Sequence, residues 1–207
     1  MIIKHMQVGQ IGTNCYLVGD EGARCCAVID PGDQPQWVAQ MIQDSGLTLQ
    51  YILVTHGHFD HVLGVPGLLE LYPGAPVYIH AKEVDLGSSA ENYMKLKAVP
   101  GLHYCTEGDE IPLGDLTIKV MNTPGHSEGS LIFQVGDALF VGDTLFKGSC
   151  GRTDFAGGSY EDMLRSLKRL HDLEGDYRVF PGHEGFTTLE AERQSNYFMK
   201  DAVQSNL

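Results

Sequence analysis

The chain has 207 residues, 43% of them hydrophobic and 20% charged, which is enough to bury a substantial core in one domain, with or without an appendage. A formal net charge of -13 argues against nucleic acid as a partner, because a polyanion is held by clustered Lys and Arg that release its counterions. No apolar run approaches the roughly 20 residues that span a bilayer, and the opening Met1-Ile2-Ile3-Lys4-His5-Met6 lacks the basic start and long apolar centre of a signal peptide, so a cytoplasmic protein without a membrane partner is expected.

Five cysteines, at positions 15, 25, 26, 105 and 150, are an odd number with an adjacent pair, the pattern of reduced thiols. Cys15, Cys25 and Cys26 lie in strand-like runs and read as small buried hydrophobes.

In chain order, Ile2–Val8, Asn14–Val18 and Cys26–Asp30 read as an antiparallel meander with glycine-bearing turns. Asp33 is placed to N-cap a helix through Trp37, Val38, Met41 and Ile42, stopped by Gly46, with Trp37 in the core. Tyr51–Val54 is a buried strand, and Val62–Leu71 a helix behind it. Val77–Ile79 is a short strand with His80 as a polar tip, Ala81–Leu86 and Ala90–Lys97 read as short helices, and Pro100 to Asp109 as loop.

Leu116–Met121 is a strand, and Leu131–Val135 with Ala138–Val141 a hairpin around Gly136-Asp137. Ser159 and Asp162 form a capping box for a helix over Tyr160–His171. Arg178–Phe180 is a last strand, and Thr187 with Glu190 opens a final helix through Tyr197.

Directly after the strand at Tyr51–Val54 stands Thr55-His56-Gly57-His58-Phe59-Asp60-His61, three imidazoles and a carboxylate within six residues. On an extended loop His56, His58 and Asp60 share one side while His61 faces the other, which suggests two metal ions rather than one. Two more apolar strands end in a Gly-His pair, at Gly125-His126 and Gly182-His183, so the chain reads as a loose duplication. Each half buries one sheet face under helices, giving four layers, helix, sheet, sheet and helix, with the ligands meeting where the sheets join. Nitrogen and oxygen donors of this kind suit zinc, and also iron or manganese.

The series His56-x-His58-x-Asp60-His61, His126, Asp143 and His183 resembles the metallo-β-lactamase superfamily over nearly the whole chain, as do Asn14-Cys15-Tyr16-Leu17, Val28-Ile29-Asp30-Pro31-Gly32 and Thr123-Pro124-Gly125-His126-Ser127. The resemblance implies a single αββα sandwich over residues 1–207. It implies that His56, His58 and His126 hold one of two divalent metal ions, Asp60, His61 and His183 the other, with Asp143 bridging. A hydroxide held between such metals would attack a polarised carbonyl, oriented by Asp60.

The run Gly142-Asp143-Thr144-Leu145-Phe146 with Gly151-Arg152-Thr153-Asp154-Phe155 is similar to the glyoxalase II branch, which implies a small-molecule substrate, an S-(2-hydroxyacyl)glutathione thioester. Arg152 stands where that branch carries a basic residue for the glutathione carboxylate, and Lys147 is a second cation nearby. The chain departs from the long enzymes of the branch in three ways: residues after about 184 form only a short helical tail, Gly185 replaces an expected tyrosine, and Asp154 replaces an aromatic residue. The leading alternative is a persulfide dioxygenase, a branch with a run similar to Cys150-Gly151-Arg152-Thr153-Asp154-Phe155 that uses one iron and glutathione persulfide; the intact set Asp60, His61 and His183 favours the hydrolase. A third reading, a β-lactamase, would use Cys150 as a ligand; phosphodiesterase activity and a non-enzymatic metal-binding module are further alternatives.

Overall fold

In the computed structural model, which describes residues 1–85 and 94–205, the first half of the chain builds one six-stranded sheet. β1 (Ile2–Val8), β2 (Thr13–Asp20) and β3 (Cys25–Ile29) form the antiparallel meander. After α1 (Pro35–Ser45), β4 (Thr48–Leu53) joins in parallel, followed by α2 (Phe59–Val62), α3 (Val65–Leu71) and a further parallel strand, β5 (Val77–Ile79). A 3-10 turn at Ala81–Glu83 leads to β6 (Val84–Asp85), paired with β7 (Leu96–Lys97), and β8 (Leu102–Tyr104) closes the sheet beside β5.

The second half repeats the plan. β9 (Glu110–Leu113), β10 (Leu116–Asn122), β11 (Leu131–Val135) and β12 (Ala138–Gly142) run antiparallel, with a small hairpin, β13 (Leu145–Phe146) and β14 (Ser149–Cys150), beyond them. α4 (Tyr160–His171) crosses over to β15 (Arg178–Pro181), parallel to β12, and β16 (Thr187–Thr188) forms the edge. α5 (Leu189–Ser195) and α6 (Tyr197–Gln204) end the described chain.

Side-chain alternation turns these sheets into four layers. Along β2 and β3, Cys15, Leu17, Cys26 and Val28 face α1 and α3, whereas Tyr16, Val18, Ala27 and Ile29 face the other sheet. Along β11 and β12, Phe133 and Phe140 meet them in that central layer, while Ile132, Leu139 and Val141 point outwards to Met163 and Leu167 of α4 and Met199 of α6. β2 is covered on both faces, by the helices on one side and the second sheet on the other, and is buried at all eight positions. The αββα expectation is met. Among the described residues no helix is long and apolar enough to cross a membrane.

Several local expectations are corrected. α1 is capped at Gln34, not Asp33, since Pro35 takes the first turn, where its missing N–H costs nothing. Trp37 is 60% exposed, because the helix buries Val38, Ala39 and Ile42 and leaves Trp37 on the opposite face. The helix over Val62–Leu71 is two helices parted at Leu63-Gly64, since Pro66 near the start of α3 cannot sit inside a longer helix.

Of the helix expected over Ala81–Leu86 only the 3-10 turn forms among the described residues, Leu86 lying outside them; residues 90–93 of the helix expected over Ala90–Lys97 also lie outside them, and Leu96–Lys97 is a strand. The loop from Pro100 contains β8, where His103 stacks on Tyr78. The terminal helix starts one residue later, capped by Thr188, and is broken at Asn196, which caps α6.

Gly32 lets α2 dock against the β3 end: a Cβ there would lie 1.6 Å from the Asp60 carbonyl oxygen. Gly32→Ala should therefore destabilise the protein by about 2–3 kcal/mol in denaturant unfolding and displace Asp60 and His61. Gly185→Ala, with nothing within 4 Å of the new Cβ, should change the same midpoint little; equal midpoints for the two variants would refute the close-packing argument.

Candidate metal centre

The strands that carry the motifs all end at one edge of the sandwich. β4 delivers Thr55 to His58, β10 leads to His126, β12 ends at Asp143 and β15 at His183. The motif segment is not extended throughout: Phe59–Val62 is a helical turn, α2. That turn separates Asp60 from His56 and His58 and swings it, with His61, towards His183. The expectation that Asp60 shares a side with His56 and His58 is corrected accordingly.

Donor atoms of His56, His58 and His126 lie within 4.8 Å of one another, as do those of Asp60, His61 and His183, and those of His56, His61 and Asp143. Asp143 stands between the groups: its Oδ2 is 3.4 Å from His126 Nε2 and 3.5 Å from His183 Nε2, and its Oδ1 is 3.4 Å from His61 Nε2. The glycine before His183 permits this approach, since a Cβ on Gly182 would lie 2.2 Å from Asp143 Oδ1. All seven residues of the sequence motif are thus brought together.

Partners behind the imidazoles fix which nitrogen faces inwards. Arg152 O accepts from His126 Nδ1 at 2.7 Å, so Nε2 carries the lone pair, 2.8 Å from His58 Nδ1. His61 Nδ1 lies 2.9 Å from Asp30 Oδ2, and His56 Nδ1 lies 3.1 Å from the Thr55 hydroxyl, which itself donates to Asp30 Oδ2 at 2.7 Å. One carboxylate thereby orients two imidazoles, an arrangement that raises the basicity of the inward nitrogens. Asp60 Oδ2 accepts from the Thr13 hydroxyl at 2.8 Å. Asn14 Nδ2 donates to the Pro181 and Glu184 carbonyls and so holds the His183 turn. Asp30 and Thr55 stand in the sequence motifs without a role there as partners behind the ligands, and Thr13 is not singled out by the sequence; the available signal for Asp30 and Thr55 is a polar residue just past the C-terminal end of a buried strand, while Thr13 opens β2.

The electrostatics divide the site. Burial, then the neighbouring imidazoles, push His56 well below its ordinary value and His58 down to about 4, so both are neutral and free to donate a lone pair. Burial pushes Asp60 and Asp143 upward, but it is outweighed: His183, His61 and Thr13 hold Asp60 below the usual carboxylate range, and His61 holds Asp143 low. Burial likewise opposes the charge on His61, which Asp143 and Asp30 nevertheless raise.

Among the described residues the buried ligand atoms His56 Nε2, His58 Nε2, His61 Nε2 and Asp143 Oδ1 have no hydrogen-bond partner. Unpaired polar atoms in such numbers are costly to bury unless a cation accepts them. The donor set, imidazole and carboxylate without thiolate, fits divalent metal ions of the zinc, iron or manganese kind.

Above the cluster lies a cleft of about 380 Å³ whose walls include Ile11, Phe59, Phe146, Phe155 and Arg152. The Arg152 guanidinium makes two hydrogen bonds to Asp154, at 2.7 and 2.6 Å, and lies 4.0 Å from the Phe155 ring centroid. Lys147 is exposed in the turn between β13 and β14 and is not among the cleft-lining residues. Cys150 belongs to none of the donor groups; it packs on the outer core beside α4, where burial pushes its thiol up to about 11. The structure contradicts the reading of Cys150 as a ligand.

Comparison with known proteins agrees with this geometry. The sequence is 31% identical to the hydroxyacylglutathione hydrolase GloC of Haemophilus influenzae over 96% of this chain and 98% of that protein. The structure superposes with a TM-score of 0.84 on the B3 metallo-beta-lactamase BLEG-1, at 31% identity over 96% of this chain and 99% of that one. It superposes with a TM-score of 0.80 on ETHE1 from Myxococcus xanthus, at 29% identity, covering all of this chain and 92% of that one. The profile of the metallo-beta-lactamase superfamily matches residues 8–183, from the first strand to the last histidine of the cluster, and the chain belongs to that superfamily.

Proposed function

We propose that this single-domain chain is a binuclear metallohydrolase that cleaves thioesters of the S-(2-hydroxyacyl)glutathione type. The observation that carries the proposal is Asp143, standing within 3.5 Å of imidazole nitrogens from both donor groups. His56, His58 and His126 would hold one ion, Asp60, His61 and His183 the other, and Asp143 would serve both; zinc suits the donors, with iron or manganese as alternatives. When bound, two such cations lower the pKa of a water towards roughly 7 and polarise the carbonyl.

The chain's own groups supply the rest. Asp60 is kept as a carboxylate by Thr13 and His183 at the cleft floor, where it can orient the water and accept its proton. The departing thiolate has a conjugate acid of pKa near roughly 8.5, so the site needs no dedicated general acid. Phe59, Phe146 and Phe155 give the cleft walls an apolar surface. Arg152 lines the cleft and can meet a substrate carboxylate by exchanging its Asp154 partner, an exposed pair that costs little to open. Likeness to GloC supports the thioester reading.

A second reading, the iron-dependent persulfide dioxygenase, is favoured by the Cys150 to Phe155 run, which places Arg152 and Phe155 in the cleft wall. Purified protein is expected to carry about two metal ions and to hydrolyse S-lactoylglutathione; a single iron with oxygen uptake on glutathione persulfide would replace the hydrolase reading with the second one.

Asp143→Ala should lower metal content and rate together, by more than the roughly 10–100-fold that loss of a partner behind a ligand costs, as read by elemental analysis and turnover. Full occupancy in that variant would remove Asp143 from the ligand set. Arg152→Ala should raise KM for S-lactoylglutathione by about 5-fold with kcat nearly unchanged, the pattern of lost uniform binding; an unchanged KM would take Arg152 out of substrate binding.

A further inference from the structure

One buried carboxylate near the centre belongs to neither donor group. Glu83, at the end of the 3-10 turn after β5, is 2% exposed and pairs through its carboxylate with backbone amides. Its Oε2 accepts the Gly57 N–H at 2.8 Å and its Oε1 accepts the Gly129 N–H at 2.7 Å. Gly57 stands between His56 and His58, and Gly129 is three residues past His126. The two amides therefore come from histidine loops carried by different sheets, one following β4 and the other following β10.

The fit is close on both sides. A Cβ on Gly57 would lie 2.5 Å from the Glu83 carbonyl oxygen, and one on Gly129 would lie 2.8 Å from Glu83 Oε1. A carboxylate makes charge-assisted hydrogen bonds to backbone amides, shorter and stronger than neutral ones, and here each oxygen is committed to one loop.

We propose that Glu83 is a positioning residue for the first metal ion, tying the His56–His58 loop to the His126 loop at the separation where their three imidazoles converge. This rests on the reading that those imidazoles hold a metal. The other donor group is held independently: Thr13 supports Asp60, Asp30 supports His61 and Asn14 supports the His183 turn. Loss of Glu83 thus acts on one metal position and spares the other, whereas a merely structural role would weaken both along with the fold.

The test is a Co²⁺ titration of the metal-free protein, followed by calorimetry and by the d–d absorption of the bound ion, on wild type and Glu83→Gln. Glutamine keeps one acceptor oxygen but turns an NH₂ group towards the second amide. The wild type should bind two ions; in Glu83→Gln one affinity should fall about 10–100-fold with an altered spectrum, and the other should stay within about threefold. A wild type that binds no Co²⁺ refutes the metal reading itself. A wild type that binds two, with both affinities retained or both lost equally in the variant, refutes the role of Glu83. Should Glu83→Gln not fold, amide hydrogen exchange on metal-free wild type decides: Gly57 and Gly129 protons as slow as strand amides support the clamp, and exchange at open-loop rates overturns it.

Discussion

A buried junction of like groups governs this molecule. Five imidazoles and two carboxylates converge where the two sheets meet, and several of their polar atoms have no hydrogen-bond partner among the described residues. Such a junction is unfavourable by itself, since desolvation opposes every charge in it and neighbouring imidazoles suppress one another's protonation. A cation at each donor group removes that penalty. The chain invests accordingly in holding the junction open to ligands, with hydrogen bonds on the outer nitrogens and glycines where backbone and side chains approach most closely.

The support comes from two directions, and its distribution has a physical logic. Asp30 sits at the end of β3 with a φ of 52°, a left-handed backbone that turns the chain so its carboxylate reaches both the Thr55 hydroxyl and His61. Asn14 and Tyr16 of β2 reach across to the Pro181 carbonyl and fasten the end of β15 to the opposite sheet. These contacts cross the central layer, so packing of Tyr16 against Phe140 and Phe180 and positioning of His183 are parts of one structure. Core stability and site geometry are coupled through the same residues.

The mouth of the cleft carries a different kind of information. Its walls are apolar, and its cation, Arg152, is already engaged by Asp154. An exposed, solvent-screened ion pair of this kind costs little to open, so Asp154 does not lock the guanidinium in place. The floor of the site and its rim therefore differ in kind: the floor is a buried cluster of imidazole and carboxylate donors, and the rim is apolar with one exposed ion pair.

The sequence by itself determined the strands that end at the site, the αββα layering and the seven residues that converge, because alternating burial and dense donor motifs are local properties of the chain. β2, β5, α4 and the β11–β12 hairpin were legible for that reason. Tertiary structure alone decided that α2 forms within the histidine motif and sends Asp60 to the far donor group, that Trp37 faces solvent, and that Cys150 packs away from the centre. It alone brought Asp30 to His61 and Glu83 to Gly57 and Gly129, contacts that join residues 26 to 46 positions apart. Such pairings carry no periodic signal, because they are set by how two sheets dock rather than by any pattern along one strand.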